Sequence, residues 1–76
     1  MPTSKAFGVV LKSARLAANL SQADLAAQAG YDVTFISRLE RGLQNPTVNT
    51  LFDIAKVLKV SPVEIIHRTE LQILKR

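Results

Sequence analysis

The 76-residue chain predicts an all-α fold of five short helices. Apolar residues recur at helical spacing along its whole length. No stretch alternates apolar and polar residues as a half-buried strand does, and helix-starting and helix-stopping residues punctuate the apolar runs. The first helix is expected to run from near Ser4 to about Asn19, burying a stripe of Phe7, Val10, Leu11, Ala14 and Ala18. Asn19 suits its exit, because Asn tolerates the left-handed backbone that commonly ends a helix. Ser21 begins the second helix by capping free N–H groups. Asp24 stands at the third helical position, as a shorter substitute for the Glu or Gln of a capping box. Leu25, Ala26 and Ala29 form its inner face, small enough for two helices to cross closely, and Gly30 ends it.

Asp32 caps a third helix, about Val33 to Arg41, with its carboxylate also favoured by the helix dipole. Ile36 and Leu39 point inward, Gly42 stops the helix, and Leu43-Gln44-Asn45-Pro46 reads as a loop. Thr47 starts the fourth helix, with Leu51, Ile54, Ala55 and Leu58 inward. Ser61-Pro62-Val63-Glu64 opens the fifth as Ser cap, Pro at the first helical position and Glu at the third. Ile65 and Ile66 are expected to close the core. Beyond His67, the roughly helical spacing of Ile66, Ile73 and Leu74 marks residues 67–76 as a helix extension or a dimerisation tail. Residues 1–76 read as a single domain, without repeat, linker or low-complexity segment.

Composition narrows the function. Without cysteine there is no disulfide, thiolate metal site or thiol nucleophile. Hydrophobic residues at 47% exclude a disordered tail, yet none of their runs spans a bilayer or forms a signal peptide. A soluble, cytoplasmic protein with no membrane contact is expected. The single histidine, His67, cannot build a histidine-based metal cluster. Glu64 and Glu70 lie more than a helical turn apart, Asp24 and Asp32 serve as caps, and Ser37 has no histidine base nearby. No glycine-rich loop cradles a phosphate. An enzyme is not expected, nor a cofactor, metal or small-molecule ligand.

The net charge of +4 favours a polyanionic partner, and the third helix says which. A helix that reads DNA needs short polar side chains near its N-terminus and hydrogen-bonding or positive groups around it. Thr34 and Ser37 can bond bases or phosphates, and the methyl groups of Val33 and Thr34 can meet a thymine methyl. Arg38 can present its fork to guanine. Phe35 either stacks against a base step or sugar, or packs beneath the turn. Gln22 opens the second helix, where free N–H groups already favour a phosphate. Arg41, Gln44 and Asn45 stand where a helix end and its following loop reach the opposite backbone strand.

Gln22, Leu25-Ala26, Gly30, Ile36-Ser37, Glu40, Gly42, Pro46, Leu51, Ile54-Ala55, Leu58 and Val60-Ser61 together resemble the Cro/CI-like (XRE) helix-turn-helix family. The similarity covers roughly Phe7 to Ile66, and the short length resembles restriction–modification controller proteins and small phage repressors. It implies a five-helix lambda-repressor-like DNA-binding domain, with the helix-turn-helix at helices 2 and 3. It also implies a homodimer on a palindromic operator of double-stranded DNA. Carried over by position, Gln22 is a phosphate contact, and Val33, Thr34, Phe35, Ser37 and Arg38 are the reading surface. Arg15 and Glu40 resemble a repressor pair that ties the first helix to the end of the third. Val33 departs from controllers, which commonly carry a basic residue there. Leu43 and Asn45 replace basic loop residues of phage repressors, which implies fewer charged phosphate contacts.

The expected function is a dimeric transcriptional regulator, with Ile73 and Leu74 at the dimer contact and Val48, Phe52 and Val63 either contributing to that surface or packing in the core. The rival is an antitoxin-like protein-interaction module with secondary DNA binding, supported only by the apolar tail.

Overall fold

The computed structural model describes residues 1–75 and contains α1 (Thr3–Ala17), α2 (Gln22–Ala29), α3 (Val33–Glu40), α4 (Val48–Leu58) and α5 (Pro62–Leu74). Arg76, the end of the expected tail, lies outside the described residues, among which there is no strand. The starts of α2 to α5 follow local chemistry, whereas α1 begins after Pro2 without a side-chain cap. Ser21 and Asp24 close a reciprocal box: the Asp24 N–H donates to Ser21 Oγ at 2.9 Å, and the Ser21 N–H to Asp24 Oδ2 at 3.0 Å. The Thr34 N–H donates to the Asp32 carboxylate, and the Thr50 N–H to the Thr47 hydroxyl. At α5 the Ser61 hydroxyl instead accepts from Val63, and Glu64 turns away to pair with Arg68 at 2.8 Å. The exposed Arg68 fork, one turn on, is the stronger partner for that carboxylate.

The stops of α1 to α4 share one device. Asn19, Gly30, Gly42 and Lys59 all adopt the left-handed backbone, with φ of 58°, 81°, 73° and 58°. In each case the next N–H reaches back into the last turn: Leu20 to Arg15, Tyr31 to Ala26, Leu43 to Arg38 and Val60 to Ala55. The residue making that bond is apolar or aromatic every time, and Leu20, Tyr31 and Val60 pack onto the core. Lys59 is the stop with no advance signal, since a lysine carries a steric penalty in this conformation.

Leu11, Leu25, Ile36, Leu39, Ile54 and Ile65 form the fully buried centre, one or two from each helix. Burying each such side chain contributes about 1.5–3 kcal/mol. α1 packs on α3 and α5, while α2 packs on α3 and α4. The crossing of α1 on the end of α3 is close because residue 8 is glycine. A Cβ there would collide with the Glu40 carbonyl oxygen and stand 2.7 Å from that of Leu39.

Ile66 departs from expectation. It is 57% exposed, and Ile65 alone of the pair closes the core. Successive residues on a helix point about 100° apart, so α5 cannot bury both in one interface. The tail continues α5 as helix to Leu74, with Ile73 half-buried and Leu74 exposed.

Candidate nucleic-acid interface

α3 is short, so its outward face is set by simple periodicity. Ile36 and Leu39 are driven into the core, which leaves Thr34, Ser37, Arg38 and Arg41 on the opposite side at i, i+3, i+4 and i+7. Thr34, Arg38 and Arg41 are exposed and Ser37 is half-buried, so the face carries hydroxyls toward its start and guanidiniums toward its end. Val33, 42% exposed, flanks this face at the first turn. Arg41 lies back along the helix, with Nε donating to the Ser37 carbonyl at 3.4 Å. Arg38 Nε donates to Gln44 Oε1 at 3.3 Å, which brings the loop residue onto the outward face of α3. Asn45 is exposed and borders a cleft of about 310 Å³ shared with Phe7, Leu51 and Ile66.

Phe35 is half-buried, packed against the core and stacked on Tyr31, with ring centroids 5.2 Å apart and planes at 27°. Phe35 thus packs beneath the turn with part of its ring still exposed. Tyr31 in turn donates to Asp53 Oδ2 at 2.6 Å and lies 3.3 Å from the Thr50 hydroxyl. Accepting from Tyr31, Asp53 holds the phenol above its ordinary range. This lock fastens the turn between α2 and α3 to α4. Sequence reasoning missed it, because neither Tyr31 nor Thr50 lies on an apolar stripe. The aromatic directly after Gly30 was the available signal.

A second lock orients the two helices. Arg15 and Glu40, with side chains only 8% and 3% exposed, pair through Nε–Oε2 at 2.6 Å and Nη2–Oε1 at 3.0 Å. Nη1 of Arg15 also donates to the Leu20 carbonyl at 2.8 Å. The Glu40 hydrogen bond raises the Arg15 guanidinium above its already high range, more than burial lowers it. Gln22 completes the cluster, its Nε2 donating to Glu40 Oε1 at 3.0 Å. One carboxylate therefore joins α1, α2 and α3. The Gln22 amide keeps a second N–H, at the start of α2 where backbone donors are also free. Among the described residues there is no buried side-chain polar atom without a partner, and no cluster of His, Asp or Glu able to hold a metal. No described helix is long and apolar enough to cross a membrane.

The sequence matches the helix-turn-helix family profile over residues 11–65, from the middle of α1 to the first turn of α5. It is 43% identical over 51 residues to the HTH-type transcriptional regulator y4dJ of Sinorhizobium fredii, covering 67% of this chain and 66% of that protein. It is 34% identical over 64 residues to the control protein C.BamHI of Bacillus amyloliquefaciens, covering 83% of this chain and 79% of that one. The chain spans just under two thirds of the first relative, and 39% of an HTH-type regulator of Mycobacterium tuberculosis. Among solved structures, the restriction–modification controller protein C.Esp1396I superimposes with a TM-score of 0.87 at 35% identity, over 99% of both chains. The tetramer of that protein, in complex with its natural 35 base-pair operator, gives 0.86. With its five helices, its left-handed turn at Gly30 and a profile match spanning both helices around that turn, the chain belongs to the XRE-type helix-turn-helix family.

Proposed function

We propose that this chain is a cytoplasmic, sequence-specific transcriptional regulator that binds a pseudo-palindromic operator in double-stranded DNA as a homodimer. The observation that carries the reading is the outward face of α3, where Thr34, Ser37, Arg38 and Arg41 stand free of the core on a helix clamped by Glu40. In this reading α3 enters the major groove. Thr34, Ser37 and Arg38 address base edges, with Val33 beside a thymine methyl. Gln22, Arg41, Gln44 and Asn45 fall on the sugar–phosphate backbone, and Phe35 supports the turn from beneath. The operator-bound controller protein, 35% identical over 99% of this chain, supports operator DNA as the ligand.

Self-association is supported by the apolar surface left uncovered. Val48, Phe52, Val63 and Ile66 are 73%, 56%, 75% and 57% exposed on α4 and α5. α4 and α5 pack on each other, and these four exposed apolar side chains are what a second copy would cover. A second copy seated there would set two reading helices in successive major grooves, about 34 Å apart.

Selection from random duplex pools tests the proposal, with binding repeated at two salt concentrations and sedimentation of the free protein alongside. Enrichment of two symmetric half-sites is expected, with affinity that falls as salt rises. Sequence-blind binding would overturn the reading and leave partner binding through α5 as the function. A strict monomer at high micromolar concentration would overturn the dimer.

A further inference from the structure

We propose that Gln44 is a positioning residue for Arg38, so that helix and loop read one base pair as a unit; the inference rests on the DNA-binding reading above. The backbone prepares the pair. Gly42, at φ 73°, turns the chain back, and the Leu43 N–H donates to the carbonyl of Arg38 itself at 3.0 Å. Gln44 therefore leaves a closed turn directly beside the residue it meets, and its Oε1 accepts from Arg38 Nε at 3.3 Å.

The chemistry of the contact fixes which donors remain. An arginine offers five N–H groups in one plane. With Nε engaged by Gln44, the two terminal nitrogens are left to point outward. They form the end-on fork that matches O6 and N7 of guanine. Arg38 belongs to neither of the ion pairs among the described residues. A neutral amide is the suitable partner here. It orients the guanidinium without cancelling its charge, whereas a carboxylate would repel the acceptor-rich edge of guanine and the nearby phosphates. Arginine also carries large rotamer entropy, so ordering it before DNA arrives reduces what binding must overcome.

Duplex selection with wild type, Arg38→Ala, Gln44→Ala and the double variant tests the pairing, with thermal melting as a folding control. Arg38→Ala is expected to lose preference at one symmetric base position by about ten- to a hundredfold. Gln44→Ala should relax preference at that same position by severalfold and leave the other positions unchanged. The double variant should discriminate there no worse than Arg38→Ala alone, since the two act together. A Gln44→Ala protein that keeps full discrimination at that position, whatever its overall affinity, or that relaxes a different position, would overturn the pairing while the DNA-reading role stands. If the wild type selects no sequence at all, both fall together.

Discussion

At Gly8 even a methyl group meets backbone. Replacing it with alanine would favour α1 by about 1 kcal/mol through helix propensity alone. The added methyl would nevertheless meet the backbone of Leu39 and Glu40, which cannot rotate aside. Overpacking of this kind costs roughly 1–3 kcal/mol and can cost more. Gly8→Ala should therefore lower the urea midpoint; a raised midpoint would show that α1 can lift off α3 freely. The Arg15–Glu40 pair answers differently. Removing one partner of so buried a pair costs about 3–5 kcal/mol, whereas an apolar pair of similar volume is tolerated. Arg15→Ala is expected to unfold at much lower urea than Arg15→Met/Glu40→Leu, which denaturation of the two variants beside the wild type would check. The pair was legible from its resemblance to a repressor pair. Gly8 was not, because its requirement comes from a carbonyl more than thirty residues away and leaves no local mark.

At the scale of the helices, starts were easier to read than stops. Serine, threonine and aspartate caps act on N–H groups within three residues, so Ser21, Asp32, Thr47 and Ser61 all announced their helices and all cap them. Stops depend on a left-handed residue that only glycine or asparagine advertises, and Lys59 concealed one. Lys59→Gly should stabilise the protein by roughly 1 kcal/mol, raising the melting temperature, because glycine adopts that φ without steric cost. The capping box makes a pH prediction with a definite sign. Hydrogen bonds from the Ser21 backbone and hydroxyl hold the Asp24 carboxyl below its ordinary range, and Arg68 does the same for Glu64. A carboxyl depressed on folding contributes stability that is complete above its ordinary value and lost as pH falls through the folded one. Melting temperature should therefore decline on acidification below about pH 4, and Asp24→Asn should flatten part of that decline.

For the whole molecule, the apolar pattern was sufficient to give five helices and nearly all of the core, because an amphipathic stripe needs no knowledge of its neighbour. Its limit was α5, where Ile65 and Ile66 are equally apolar and only packing against α1 and α4 decides which is covered. The exposed remainder bears on assembly. Phe52→Glu and Val63→Glu change side chains already in water within one protomer, so each should keep its fold while weakening self-association. Sedimentation velocity beside circular dichroism would check this; loss of helicity in both would mean the face belongs to the core. Operator affinity should fall with the dimer, since two half-sites then act separately. The clamp on Glu40 has a consequence for how such a molecule diversifies. The clamp fixes the angle at which α3 is offered, and none of Val33, Thr34, Ser37 or Arg38 takes part in it through a side chain. Address and scaffold are thus separable: if α3 reads DNA as proposed, its outward face can be rewritten for a different operator, Arg38 and Gln44 exchanged as a pair, without renegotiating the fold that presents them.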